Sequence, residues 1–271
     1  MKKFLLSCLV ALACISAQAQ FFGVDTDKLN TLFNGLNKLP HDNAVMILKS
    51  TMNTLSNDPK AYRKAVEIIE RMGNPADSLH NEVLYTEGLK TITSSFVLGA
   101  SELDRPKLLL EMAQKNNSGS KATDIQYVTA DGNTHHLLDG DKPKLIFFND
   151  LDCDACTKAK QAMAASQTIK AAVEQGKLQV IAIYTGTSEK AWKKAEYPAW
   201  VTCGWDKTQQ VEGAEAYVLP TTPLFYLLNS DNTVLIKNEP SLSRMEKAVE
   251  AMTTSTEASS IKLAKLLYSI K

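Results

Sequence analysis

The hydrophobic period of this chain changes once, at Asn116-Asn117-Ser118-Gly119-Ser120, and that change limits the folds open to it. Before it, apolar residues recur at three- and four-residue steps; beyond it they alternate or form short continuous runs. The first pattern builds amphipathic helices and the second builds strands. The sequence therefore predicts an all-α N-terminal domain over residues 20–115, a linker at 116–121 and an α/β domain at 122–271.

The helical signal is fullest after Asp58-Pro59. Asp58 suits an N-cap, Pro59 the first helical position, and Tyr62, Val66, Ile69 and Met72 form one stripe before Gly73 stops it. Val45, Leu48, Met52 and Leu55 mark an earlier helix, and Leu79 to Val97 holds another. Asp104-Arg105-Pro106 is expected to open a further helix carrying Leu108, Leu109 and Met112. These stripes read as core, because nothing polar interrupts them to make a site.

In the second half, Ile125, Tyr127 and Thr129 alternate up to the turn Ala130-Asp131-Gly132-Asn133, and Thr134 to Leu138 returns as a hairpin. Leu145 to Phe148 and Leu178 to Tyr184 are continuous apolar runs suited to buried parallel strands, each followed by a helical stretch. Leu224 to Leu228, a turn at Asn229-Ser230-Asp231-Asn232, and Thr233 to Ile236 make a second hairpin, followed by a last helix. This order predicts a central mixed sheet with helices on both faces.

Residues 1–19 begin with Lys2 and Lys3, continue through an apolar stretch to Ile15 and end in Ala17-Gln18-Ala19, which predicts a secretory signal peptide too short to span a bilayer. Cys14, in Ala11-Leu12-Ala13-Cys14, loosely resembles a lipoprotein signal with an unusual residue order. Localisation is thus expected to be exported and periplasmic, with lipid anchoring at Cys14 the lesser alternative and no membrane span. Loss of Lys2 and Lys3 leaves 28 basic against 30 acidic residues, a net charge of −2 that suggests no nucleic-acid partner. Cys8 and Cys14 leave with the signal, so the mature chain keeps one close pair and one odd Cys, too few for a disulfide-stapled scaffold.

The pair is Cys153-Asp154-Ala155-Cys156, between the run ending at Phe148 and a helical segment. A Cys at a helix N-terminus is where unsatisfied N–H groups and the macrodipole favour a thiolate, the species that attacks disulfides. Cys156, one turn in, is placed to resolve the mixed disulfide. Structural zinc needs about four ligands, and Cys203, His41, His80, His135 and His136 offer no matching pair. As an inert staple the pair closes too short a loop to stabilise much. No cofactor or metal is expected beyond a redox-active Cys153–Cys156 disulfide.

At these residues the second half resembles the thioredoxin superfamily, in its exported reductase-like branch with an extra N-terminal hairpin. Gly119 to Asp124 leading into the hairpin, Lys144 to Phe148 leading into the Cys pair, and Thr222-Pro223 before Leu224 to Leu228 carry the resemblance. It implies that Pro223 is cis and faces the dithiol, and that the backbone of Thr222 holds the substrate chain; Pro220 competes for the position. Three departures stand out. Asp152 replaces the common aromatic before the first Cys, Phe147 falls where a buried acid often assists the second, and Ala159 falls where some exported relatives place a Glu. The helical half, with Asn81-Glu82-Val83-Leu84-Tyr85, looks like the uncharacterised helical domain that precedes thioredoxin-like domains in some exported proteins.

The expected function is an exported thiol–disulfide oxidoreductase acting on disulfides or thiols of exported proteins and recharged by an electron-donor thiol protein. A helix N-terminus favours the Cys153 thiolate by about 0.3–1 kcal/mol, while Asp152 and Asp154 oppose it by about 1 kcal/mol each at close range. That balance leans toward a reductase. A non-catalytic binding module is the rival from another class. A peroxidase is disfavoured because its usual Thr and Pro positions fall on Asp150 and Ile146. Cys203 reads as a small apolar residue rather than a third redox centre, Trp192, Trp200 and Trp205 as packing residues, and His135 and His136 as neighbours on opposite strand faces.

Overall fold

The computed structural model describes residues 26–75 and 77–254. The expected signal peptide with Cys8 and Cys14, and the chain end beyond 254, lie outside the described residues. The chain forms two compact units whose division falls inside one helix, between Leu108 and Leu109.

The first unit consists of α1 Thr26–Leu36, α2 His41–Leu55, α3 Pro59–Arg71, α4 Glu82–Thr93 and the beginning of α5 Ala100–Gln114. Asp58 caps α3 by accepting the N–H groups of Lys60 and Ala61 at 3.0 and 3.1 Å, and Pro59 takes the first turn, where its missing N–H costs nothing. Phe33, Leu48, Met52, Ile69, Met72, Leu89 and Ile92 are fully buried between the helices. Asn81 ties two parts of this unit together. Its Oδ1 accepts the Leu84 N–H at 3.0 Å and caps α4, while its Nδ2 donates to Asn37.

Two expectations here need correction. The last helix of this run opens at Ala100 and not at Asp104, so Pro106 lies inside it. The local reason is a cap upstream: the Glu102 carboxylate accepts the Gly99 N–H at 3.0 Å, and the Gly99 carbonyl accepts from Glu102 and Leu103. Leu108 is not core; it is 50% exposed.

The second unit is built on a seven-stranded sheet in the order β2-β1-β5-β4-β3-β6-β7. Its strands are β1 Gln126–Val128, β2 Thr134–His136, β3 Lys144–Asn149, β4 Gln179–Tyr184, β5 Thr202–Trp205, β6 Leu224–Leu228 and β7 Val234–Glu239. β3, β4 and β5 run parallel, and β1–β2, β1–β5, β3–β6 and β6–β7 pair antiparallel. Helices α6 Asp154–Ala165, α7 Gln167–Glu174, α8 Glu189–Trp192 and α9 Leu242–Thr254 complete it.

Alternation along β3, β4 and β6 sorts the core into two layers. Leu145, Phe147, Val180, Ala182, Phe225 and Leu227 pack with Met163 of α6, Ile169 and Ala172 of α7, and Met245, Ala248 and Val249 of α9. Ile146, Phe148, Ile181, Ile183, Tyr226 and Leu228 face the other way, onto Ile125, Tyr127, Leu137, Val211 and Tyr217. Among the described residues, this second face is covered by the irregular segment holding Val211 and Tyr217 and by the hairpin region. Asp206, itself buried, organises that segment by accepting the N–H groups of Gln210 and Val211 at 2.8 Å. The stretch 116–121 is pinned to this unit: Gly119 N–H donates to Val234 O, Asn116 Nδ2 to Ala216 O, and the buried Lys237 ammonium to Ala113 O, Lys115 O and Asn117 Oδ1.

Candidate active site

The parallel strand β3 ends at Asn149, and the chain must turn within three residues to start α6. Asp150 makes the turn locally, its Oδ1 accepting the N–H groups of Leu151 and Asp152. Cys153 follows in extended backbone, φ −123° and ψ 112°, as the N-cap of α6. Its Sγ accepts the Cys156 N–H at 3.0 Å, so sulfur occupies the place of the usual Ser or Asp oxygen.

Cys153 and Cys156 are joined as a disulfide with Cα atoms 5.2 Å apart. The two sulfurs differ in access. Cys153 is partly exposed whereas Cys156 is 2% exposed, so an incoming disulfide meets Cys153 first.

The Thr222–Pro223 bond is cis, and Pro223 is buried. Leu224 pairs with Phe148 at the end of the β3–β6 ladder, which brings the residues just before β6 against the loop leaving β3. The Thr222 carbonyl oxygen consequently lies 3.7 Å from Cys153 Sγ, within reach of a reduced thiol as donor. The structure thus brings Cys153, Cys156, Thr222 and Pro223 together from the start of α6 and the segment before β6.

Phe147 is fully buried and stacks on Phe225 with ring centroids 4.8 Å apart, and Ala159 packs on the same layer. Near this layer the structure assembles a group the sequence did not reveal. Buried Asn149 donates from Nδ2 to Phe147 O and Ile183 O at 3.2 and 3.0 Å, and its Oδ1 accepts the Tyr197 hydroxyl at 2.6 Å. The Lys160 ammonium sits over the Tyr197 ring, 5.1 Å from its centroid. Burial pushes the Tyr197 phenol well above its ordinary range. The polar Asn149 closing an apolar strand was the available sequence signal; Tyr197 carried none.

Cys203 stands on β5, a strand absent from the sequence reading, and packs with Tyr184, Trp192 and Trp205. Burial pushes its thiol up, against smaller opposite effects of the Trp192 indole N–H and the Lys160 charge. Trp192 and Trp205 are buried 5.5 Å apart, and Trp200 packs on the helix-covered layer. His135 stacks on Tyr127, whereas His136 Nδ1 meets Asp124 Oδ2 at 2.6 Å on the opposite side.

No protein-family model matches the chain, and no curated protein does. A solved structure of a thioredoxin-like protein from Bacteroides caccae matches at a TM-score of 0.78 with 28% identity, covering 83% of this chain and 82% of its own. This chain belongs to the thioredoxin superfamily. The C-terminal domain of an uncharacterised protein from Bacteroides fragilis also aligns, at 29% identity over 50% of this chain and 98% of its own, with a TM-score of 0.48. The thioredoxin domain of a thiol-disulfide oxidoreductase from Bacteroides vulgatus aligns at 22% identity over 49% of this chain and 98% of its own, with a TM-score of 0.41. In thioredoxin-like terms, β1 and β2 are the added hairpin and β3 is the strand that delivers the dithiol.

Proposed function

We propose that this thioredoxin-like protein is an exported thiol–disulfide oxidoreductase working in the reducing direction, with Cys153 as nucleophile and Cys156 as resolving thiol. The observation that carries the reading is the setting of Cys153 Sγ, which receives a backbone N–H of α6 at 3.0 Å on one side and lies against Thr222 O on the other. A sulfur at a helix N-terminus that accepts an N–H is stabilised as thiolate.

In the reaction, the Cys153 thiolate attacks one sulfur of a substrate disulfide. The Cys153–substrate S–S bond forms, the substrate's own S–S bond breaks, and the departing thiolate takes a proton. The Cys156 thiolate then attacks Cys153 Sγ, closing the Cys153–Cys156 disulfide and releasing the second substrate thiolate. The substrate gains two electrons and the pair loses them. Thr222 supplies backbone contact to the substrate chain and Pro223 shapes the loop that presents it. An electron-donor thiol protein restores the dithiol, since nothing in the cycle regenerates it. The partners are exported proteins bearing disulfides or thiols, reached through the signal segment 1–19 in the periplasm, with lipid attachment at Cys14 the lesser alternative. Among the described residues no helix is long and apolar enough to cross a membrane.

The decisive measurement is the reduction potential of the Cys153/Cys156 couple against glutathione buffers. A value near or below about −230 mV supports the reductase, and one near about −120 mV reverses the direction. Retention of turnover by Cys153→Ser would remove the catalytic reading altogether.

A further inference from the structure

We infer that Lys160 is a positioning residue for the resolving step, a cation on α6, seated on the Tyr197 ring, that favours the thiolate of Cys156. This rests on the dithiol reading above and extends it to a residue outside the Cys pair. To attack the mixed disulfide, Cys156 must ionise, yet it is almost fully buried, and burial disfavours the charged form.

α6 packs through Met163 on the sheet face that carries Phe147 and Ala182. β3, β4 and β5 present Phe147, Ala182 and Cys203 side by side in register, two apolar groups and a thiol that burial keeps protonated. The helix itself supplies a charge. Lys160 follows Cys156 by four residues on α6, a spacing that puts two side chains on one face about 5–6 Å apart at Cβ. Lys158, two residues after Cys156, lies off that face and is exposed.

Lys160 is partly buried and its ammonium is seated. It rests on the Tyr197 ring, and Tyr197 is held by its 2.6 Å hydrogen bond to Asn149, which is tied in turn to the carbonyls of β3 and β4. The charge is also felt by Cys203 on β5, which agrees with an ammonium turned toward the sheet. A fixed cation near a partly dry site favours an anion more than a solvated one does.

The test uses the purified reduced protein and dithionitrobenzoate in stopped flow. Attack by Cys153 releases the first coloured thiolate, and attack by Cys156 on the mixed disulfide releases the second. Lys160→Met slows the second phase about tenfold, equivalent to about one pKa unit at Cys156, and leaves the first unchanged. Lys160→Arg keeps the second phase within about twofold of wild type. Tyr197→Leu, which removes the seat of the ammonium, slows the same phase alone. A wild-type second phase in Lys160→Met, or a Lys160→Arg as slow as Lys160→Met, overturns the inference; Lys160→Gln carries the same test should Lys160→Met not fold. Failure of the underlying reading looks different: Cys153→Ser would then still release one equivalent at the wild-type first-phase rate, by direct attack of Cys156.

Discussion

Phe148 pairs with Leu224 at the last rung of the antiparallel β3–β6 ladder, and this pairing decides which proline stands beside the dithiol. Pro223 directly precedes Leu224, and the neighbouring Thr222 carbonyl lies 3.7 Å from Cys153 Sγ. Pro220 is three residues further from the ladder. Pro220→Ala should keep reduction of a model protein disulfide within about twofold, whereas Thr222→Pro, which reshapes the backbone against Cys153, should lower it more than tenfold. Comparable losses in both variants would show that the loop as a whole, and not this contact, sets the rate.

Replacing each Cys separates their roles. Cys156→Ser should accumulate a covalent mixed disulfide with substrate, visible as a mass adduct that reductant removes, because the buried partner no longer resolves it. Cys153→Ser should give no adduct and no turnover. An adduct on Cys156 in that variant would reverse the assignment drawn from exposure.

The Cys203 thiol is raised above its ordinary value of 9.0 chiefly by burial. Near neutral pH it stays protonated, so iodoacetamide should modify it more slowly than a free thiol, and the rate should climb only at alkaline pH. Cys203→Ser should leave turnover and oxidation products unchanged. Rapid alkylation at pH 7 would contradict the packing against Tyr184, Trp192 and Trp205.

α3 and α4 approach closely at Gly88, where a Cβ would meet Ile69 Cγ2 at 2.7 Å. Ala is the better helix former by about 1 kcal/mol, but overpacking a dense core costs about 1–3 kcal/mol. Gly88→Ala should therefore lower the stability of the helical unit by up to about 2 kcal/mol in urea titration. A stabilised variant would mean that the helices part at little cost.

Glu87 is held below the ordinary carboxylate range by hydrogen bonds from Lys49 and then Lys90, which it meets at 2.6 and 2.8 Å. A depressed folded pKa contributes stability above the unfolded value of 4.5 and loses it as pH falls through the lower folded value. Glu87→Gln should thus cost about 1 kcal/mol at pH 7, since partly exposed pairs are each worth roughly 0.2–1 kcal/mol. The cost should shrink toward pH 3, and an equal one there would assign Glu87 a packing role.

What the sequence determined by itself is what short-range physics determines. The Asp58-Pro59 start of α3, the turn at Asp131-Gly132, the apolar runs of β3 and β4, and the Cys pair at a strand-to-helix junction each announce themselves within a few residues, through capping, turn chemistry and periodicity. The rest waited for tertiary structure. β5 is four residues with no clear alternation, and it is a strand because Thr202 to Trp205 pair with Ile181 to Tyr184. The start of α5 was hidden because a Glu102 cap outweighs the local signal of Pro106. The cover of the second sheet face depends on Asp206 folding back on Gln210 and Val211. The seat of Lys160 needs Tyr197 and Asn149, 37 and 11 residues away in sequence, to meet it on one side of the sheet. Contacts of that kind are chosen by the packing of whole elements, so no local stretch of the chain records them.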